Sequence, residues 1–539
     1  MVDTALALGL TVLALVAFAA LGVWTTRGGD RSTDDFLTAR NSVGRGRLTA
    51  TLVASSMGVW ILLSAPEAGA GFGIAAAVGY AVGTAVPMAA YARLGPRVRE
   101  LLPEGHSLTE YAHARFGSAM YAFVVLVSAL YMFVFVAAEL TGIASALALV
   151  AGVPQWQTAV LVGGFVLLYT GYGGLRATIV TDTVQAVLVL PLLAVVVGAV
   201  LLALGGPAAV YAGVAGANPS LVDPGFLPGL QFGLALAFAI LGAELVNQTW
   251  WQRLYAGESD AAVAGSFRRA TLLNGALVFV AALLGLVAVG HADVVTDVTS
   301  SAYNADVAFF VLVESVLGEG VLLAVVLLAL LLVVSSVDSL FSALASLVTA
   351  DLPRLLADPD DRTLRLGARA LTAVVAVAAV AVSLRARSVL RLFFFADLLG
   401  AAVGFPLVYG LYSRSLTGPG ALASSLGGLA VGLAFFPDFR GVLTAVPVVG
   451  DALPAADPLY LSSFAGAFLV STGLALAAAR VSDAEVDLTR LSETGPLATD
   501  GGEPSGARRG SSGPCSDGSE PSGARRGSSE PSSDGSRQE

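Results

Sequence analysis

Residues 321–351 read VLLAVVLLALLLVVSSVDSLFSALASLVTAD, a long apolar helix pattern whose middle, the SSVDS of residues 335–339, is polar. An ionisable side chain at membrane depth costs roughly 2.5–3.5 kcal/mol on insertion scales, so it normally lines a water-filled or ion-filled cavity. At helical spacing one face carries five oxygen-bearing side chains, namely Ser335, Asp338, Ser339, Ser342 and Ser346. Hydroxyl and carboxylate oxygens suit a small hard cation. The stretch therefore predicts an ion-handling membrane protein.

The composition of the whole chain also predicts a membrane protein. Of its 539 residues 56% are hydrophobic and only 13% are charged, and its mean hydropathy is +0.79. Soluble proteins carry about 25% charged residues. The single Cys515 and the three histidines lie in or beside predicted loops or the tail, which argues against disulfide frameworks, Cys/His metal sites and haem. Nothing in the sequence predicts an organic cofactor or nucleic-acid binding.

Hydrophobic periodicity predicts an all-α membrane protein with about thirteen transmembrane helices, each long enough to cross ~30 Å of hydrocarbon. The predicted spans are 4–24, 47–65, 71–94, 119–151, 156–172, 178–204, 228–255, 267–290, 320–350, 365–384, 389–412, 419–436 and 460–480. Arginine concentrates in alternate loops. This bias predicts a plasma-membrane protein with its N-terminus outside and its C-terminus in the cytoplasm, although Arg385 and Arg387 depart from the rule.

Four segments are expected along the chain. Residues 1–30 form an extra N-terminal transmembrane helix, 31–415 a transporter core, and 416–480 two additional transmembrane helices. Residues 481–539 are rich in Gly, Ser and Pro and repeat a short motif, so they predict a disordered cytoplasmic tail.

Two predicted spans look discontinuous. The first, residues 47–65, carries Ser55, Ser56 and Gly58 in its middle, and the second, 228–255, carries polar residues at 244–248. Interrupted helices in corresponding halves of a chain indicate a transporter binding site, because unwound carbonyls and half-helix ends can hold ions and solute. Small residues also permit close helix packing, which is the alternative.

Three separated motifs carry a family resemblance. They are TGYGGLRATIVTDTVQ with its preceding Tyr169, ending at Gln185; Ala54-Ser-Ser-Met57 followed by Trp60; and Ser335-Ser336 followed sixteen residues after Ser335 by Asp351. Over residues 30–480 the chain resembles the sodium:solute symporter family. The run NQTWWQR of residues 247–253 most resembles members related to urea and polyamine transporters. The resemblance implies a LeuT-type fold with a five-plus-five inverted-repeat core.

The resemblance also implies a main sodium site. Its ligands would be the backbone carbonyls of Ala54, Met57 and Leu332 and the hydroxyls of Ser335 and Ser336. The alternative for the two serines is a hydrogen bond back to a carbonyl one turn earlier.

By the same matching, a second cation or proton site would use Asp182, Asp338 and Ser339. Position 338 is a carboxylate where matched members carry a hydroxyl. Two neighbouring carboxylates repel unless a cation lies between them or one keeps its proton. Asp338 could therefore strengthen a second sodium site, carry a proton, or bond structurally to a neighbouring Ser or Arg.

The solute site is predicted between spans 2, 4, 7 and 11. Its expected lining is Ser56, Trp60, Glu139, Leu241, Glu244 and Gln248. The two glutamates could receive a cationic or amide-bearing solute, or pair with arginine at a helix end. Asp397 is expected to form a structural hydrogen bond to a neighbouring helix, and the alternative is a role in transport chemistry.

These observations predict a sodium-coupled secondary active symporter that imports a small organic solute by alternating access, and not an enzyme. The expected partners are the solute, the sodium ion and the lipid bilayer. The alternatives are a proton-coupled carrier on the same fold and a solute sensor or channel.

Overall fold

Apolar helices build nearly all of the molecule in a computed structural model of the chain. The structure describes residues 3–26, 38–355, 361–386, 388–446, 448, 450, 453–455 and 458–493. Within these residues it contains seventeen named α-helices and no β-strand. Among the described residues, ten helical segments are long and apolar enough to cross a membrane, and three shorter apolar segments are Gln155–Leu168, Pro207–Ala217 and Arg369–Ser383. The predicted number of thirteen crossings stays a prediction.

The N-terminal half holds nine helices. They are α1 (Thr4–Thr26), α2 (Arg45–Ser56), α3 (Trp60–Leu101), α4 (Leu108–Phe116), α5 (Ser118–Ala151), α6 (Gln155–Ala203), α7 (Pro207–Ala217), α8 (Leu227–Leu245) and α9 (Gln248–Ala256).

Eight helices follow. They are α10 (Asp260–His291), α11 (Ala308–Leu317), α12 (Glu319–Leu355), α13 (Asp361–Ser383), α14 (Val389–Tyr409), α15 (Gly418–Phe435), α16 (Pro437–Thr444) and α17 (Leu459–Val481). Short 3₁₀ helices cover Pro219–Val222, Ala305–Val307 and Leu488–Glu493.

Two predicted spans, 156–172 and 178–204, form the single helix α6. The residues between them include glycines but no proline, so no backbone donor is lost and the hydrogen-bond ladder can continue. In α3, by contrast, the helical conformation is interrupted at Gly73. There φ is 73°, a left-handed conformation that glycine adopts readily.

The discontinuity predicted in two spans is confirmed. Helix α2 ends at Ser56 and α3 begins at Trp60, while α8 ends at Leu245 and α9 begins at Gln248. Helix α12, which carries the SSVDS sequence, packs against α5 and α6 and also contacts α2 and α9. The polar face of α12 therefore lies beside both breaks.

The tail was predicted to be disordered from residue 481, and its first part is not. Residues 488–493 form a 3₁₀ helix whose Leu488 and Leu491 are buried, and the Val486 amide donates to the Arg414 carbonyl. Two leucines three residues apart share one face of a 3₁₀ helix, which allows both to pack at once. Residues 494–539 lie outside the described residues.

Candidate functional site

The first helix break is held open by a carboxylate from another helix. The Val59 amide donates a 2.8 Å hydrogen bond to Oε2 of Glu139 on α5, and the Trp60 indole bridges the break to the Ser56 carbonyl at 3.2 Å. Gly58 lies directly against this carboxylate, so a Cβ at position 58 would overlap it. Glu139, predicted to line the solute site, thus binds the unwound backbone and lies outside the aromatic cavity described below.

The second break is satisfied by a tyrosine. The Tyr91 hydroxyl on α3 lies 3.1 Å from the Glu244 carbonyl and 3.0 Å from the Leu245 carbonyl, both freed where α8 ends. The Asn247 side chain then caps α9 by accepting from the Thr249 amide at 3.0 Å. Each break therefore has a dedicated partner for backbone groups that a helix would otherwise pair.

Most of the predicted sodium ligands meet at one small cavity of about 10 Å³, which we call the ion cavity. Its lining is Val53, Ala54, Met57, Gln185, Ala186, Val189, Leu190, Leu331, Leu332 and Ser335. This is about the volume that one water-sized sphere needs. Four of the five predicted ligands, from α2 and its break and from α12, therefore line one cavity, and the fifth, Ser336, is not among the lining residues.

Two buried polar side chains lack partners, Gln185 on the wall of this cavity and Ser336, which follows Ser335 in the sequence. The Ser336 hydroxyl is buried and accepts or donates no hydrogen bond within the described part of the chain. Both amide atoms of Gln185 are buried without a partner as well, and its side chain lines the ion cavity. Buried polar atoms left unpaired cost about 1–3 kcal/mol each. A cation or a water molecule that contacts these polar atoms would reduce that cost.

Asp182 lies at the centre of a buried polar network. Its carboxylate accepts from Thr51 (2.5 Å), Ser55 (2.8 Å) and Ser335 (2.6 Å), and it forms an ion pair with Arg253 at 3.1 Å. Both charged side chains of this pair are fully buried.

Arg253 joins the predicted members of the second site. Its Nη2 also donates to Ser55 at 2.6 Å and to Ser339 at 2.9 Å. Asp338 accepts from Thr178 and Thr181 at 3.2 and 3.4 Å. This role of Arg253 was not predicted from the sequence, although two acids buried in apolar spans require a counter-charge. The predicted second site stays a prediction, now with a protein cation at its centre.

A larger cavity of about 40 Å³, the aromatic cavity, lies beside the first break. Its lining is Ser56, Trp60, Tyr80, Thr84, Met88, Tyr131, Phe135, Ile240, Glu244, Phe393 and Asp397. Of the predicted solute residues it contains Ser56, Trp60 and Glu244.

The other predicted solute residues lie elsewhere. Leu241 is half-buried outside the cavity lining. Gln248 is fully buried, where it accepts from the Leu108 amide at 2.8 Å and donates to Ser346 at 3.2 Å. It therefore joins α9 to the start of α4 and to α12.

The two acids of the aromatic cavity differ in their surroundings. Glu244 accepts from Tyr131 at 3.1 Å, from Asn247 at 3.3 Å and from the Trp250 indole. Asp397 has no hydrogen bond from any residue that the structure describes. The structural hydrogen bond expected for Asp397 is thus absent among these residues, and its side chain lines the cavity.

The sodium:solute symporter family model matches residues 36–428 of the chain. Spermidine transporter DUR31 of Candida albicans is 27% identical over 408 residues, which cover 74% of each chain. Probable urea active transporter 1 of Schizosaccharomyces pombe is 26% identical over 52% of this chain and 45% of its own length. The alignment thus spans less than half of that urea transporter.

Two solved structures share the fold. A Na⁺-coupled sialic acid symporter in its substrate-bound outward-open state superposes with a TM-score of 0.68 and 16% identity, covering 89% of this chain and 98% of the other. The nucleobase-cation-symport-1 family transporter Mhp1, closed around bromovinylhydantoin, gives 0.56 and 14%, covering 86% and 99%. The expected LeuT-type fold is confirmed.

Proposed function

The chain belongs to the sodium:solute symporter family, and we propose that it imports a small organic solute together with sodium by alternating access. Membership makes it a multi-span solute symporter and not an enzyme. Sodium as the coupling ion, the solute and the direction of transport are our proposals.

The observation that carries the sodium proposal is the composition of the ion cavity. Residues almost three hundred positions apart, Ala54 and Met57 in one stretch and Leu332 and Ser335 in the other, line one space of about 10 Å³. Backbone carbonyl oxygens beside a helix break can replace water around a cation without adding negative charge. The Ala54 carbonyl also accepts from the Met57 amide at 3.2 Å. The unpaired Ser336 hydroxyl supplies a further oxygen in the same turn of α12.

We propose that the Gln185 side-chain carbonyl completes the ion's shell from α6. Support comes from its buried, unpaired amide on the wall of the ion cavity. The Ser335 hydroxyl, which donates to Asp182, links this shell to the buried ion pair of Asp182 with Arg253. Arg253 already balances Asp182, so we propose a single coupled sodium.

Coupling follows from differential affinity. Each ligand shifts the equilibrium between outward-open and inward-open states only as far as it prefers one of them. Sodium in the ion cavity joins α2 to α12, and the first helix break lines the aromatic cavity at Ser56 and Trp60. The same break therefore contacts both ligands. We also propose a plasma-membrane location with the N-terminus outside and the C-terminus in the cytoplasm.

Proton coupling is the second candidate. A rice relative, named a urea-proton symporter, is 24% identical over 36% of this chain. The buried carboxylate of Asp338, held by two threonine hydroxyls, is the group that would carry the proton.

Uptake into proteoliposomes separates the two candidates. Labelled urea, spermidine, proline and glucose would be tested with the membrane potential clamped, under an inward sodium gradient or an inward proton gradient. We expect at least one solute to accumulate above its external concentration only with the sodium gradient. Accumulation that persists without sodium and follows the proton gradient would contradict sodium coupling, and protein-free liposomes are the control.

A further inference from the structure

We propose that the aromatic cavity selects an organic cation, whose ammonium group lies between the carboxylates of Glu244 and Asp397 and against aromatic rings. The inference rests on the proposed symport function and names its substrate class.

The first support is the charge of the lining. Two of the cavity residues are acids, and no arginine, lysine or histidine is among the residues that line it. No ion pair within the described residues involves either acid. Ionised carboxylates buried without a counter-charge are costly at membrane depth, and a cation that enters the cavity would balance them.

The second support is the difference in hydrogen bonding between the two acids. Three donors, Tyr131, Asn247 and the Trp250 indole, hold the Glu244 carboxyl group in place. Asp397 receives no hydrogen bond from the described residues and is only 7% exposed. Its carboxylate is therefore free to accept from an ammonium group in the cavity.

The third support is the aromatic wall. Trp60 stacks on Tyr80 with ring centroids 5.6 Å apart, and Phe393 meets Trp60 and Phe135 edge to face at 6.3 and 4.6 Å. The faces of such rings attract a cation by about 0.5–2 kcal/mol. The volume of about 40 Å³ suits an ammonium head group with its first carbons.

A neutral amide such as urea is the competing occupant. Urea would donate hydrogen bonds to both carboxylates, yet it would leave their negative charge uncompensated and gain little from the ring faces. The two solutes therefore respond differently when one carboxylate loses its charge and keeps its size.

The test is ligand binding to the purified full-length protein in detergent, followed by tryptophan fluorescence and calorimetry. The probes are methylammonium, spermidine and urea, each with sodium present. Asp397→Asn removes the charge, Asp397→Glu restores it, and Glu314→Gln makes the corresponding neutralisation at an exposed glutamate outside the cavity.

We expect the wild type to bind both amines. Asp397→Asn should weaken amine binding about tenfold or more, the size of one lost hydrogen bond to a charged group. Asp397→Glu should bind within a few-fold of the wild type, and Glu314→Gln should match it. Urea affinity should not follow the charge at position 397.

Three results would overturn the inference: urea bound in preference to the amines, amine binding unchanged by Asp397→Asn, or no binding of either amine. Sodium-driven uptake of a neutral solute without amine binding would contradict the cation inference and would still agree with sodium symport. Amine binding without sodium-dependent accumulation would contradict sodium symport and would still agree with the cation inference.

Discussion

At the scale of single residues, the most informative atoms are buried polar ones that the protein leaves unpaired. The Ser336 hydroxyl and the Gln185 amide are of this kind, and both lie at the proposed sodium site. Family motifs predicted Ser336. They did not predict Gln185 as an ion ligand, because a glutamine inside an apolar span could equally well form a hydrogen bond between two helices.

Replacing Gln185 with leucine should raise the sodium concentration for half-maximal uptake about tenfold, which corresponds to about 1.4 kcal/mol. The reason is the loss of one oxygen from the shell while the apolar volume is kept. Asn274→Leu is the matched control, since its amide is also buried and unpaired but lines neither cavity. Sodium dependence is measured in proteoliposomes. An equal shift in both variants would mean that the effect is a general loss of packing.

At the scale of helices, the two breaks were predictable and their supports were not. Ser55, Ser56 and Gly58 in one span and the polar run at 244–248 in the other mark the interruptions locally. The partners that hold them, Glu139 and Tyr91, come from distant helices. A single sequence contains no signal for such pairings. The contact of the Glu139 carboxylate with the unwound backbone was therefore not predicted.

Gly58→Ala should damage the first break because its Cβ would overlap the Glu139 carboxylate. Overpacking of this kind costs about 1–3 kcal/mol, and it would displace the acceptor of the Val59 amide. We expect a lower melting temperature and strongly reduced uptake.

Gly198→Ala is the control for this prediction, since a Cβ at position 198 in α6 meets nothing within 4 Å. Alanine also favours a helix over glycine by about 1 kcal/mol. The control should therefore be as stable as the wild type or more stable. Normal stability and uptake in Gly58→Ala would show that Glu139 does not support the break.

At the scale of the whole molecule, the fold and the proposed ion site could be predicted from local sequence patterns, and the charge network could not. Apolar periodicity gave the helical class, and three motifs gave the family and four residues of the ion cavity. Arg253 was missed, and Asp397 lacks the expected hydrogen bond among the described residues, because the contacts of both side chains depend on which helices meet. We propose that Arg253 balances the charge of Asp182, that one sodium ion occupies the ion cavity and that one ammonium group occupies the aromatic cavity.

The most direct test of the sodium proposal is equilibrium binding of radioactive sodium to the purified protein, compared between the wild type, Ser336→Ala and Ser425→Ala. Ser425 is a buried serine that donates to the Ala421 carbonyl within α15, so its replacement controls for loss of a hydroxyl. We predict one saturable sodium per wild-type chain, unchanged affinity in Ser425→Ala, and affinity about tenfold weaker in Ser336→Ala. Absence of saturable binding, or identical affinity in all three proteins, would contradict the account.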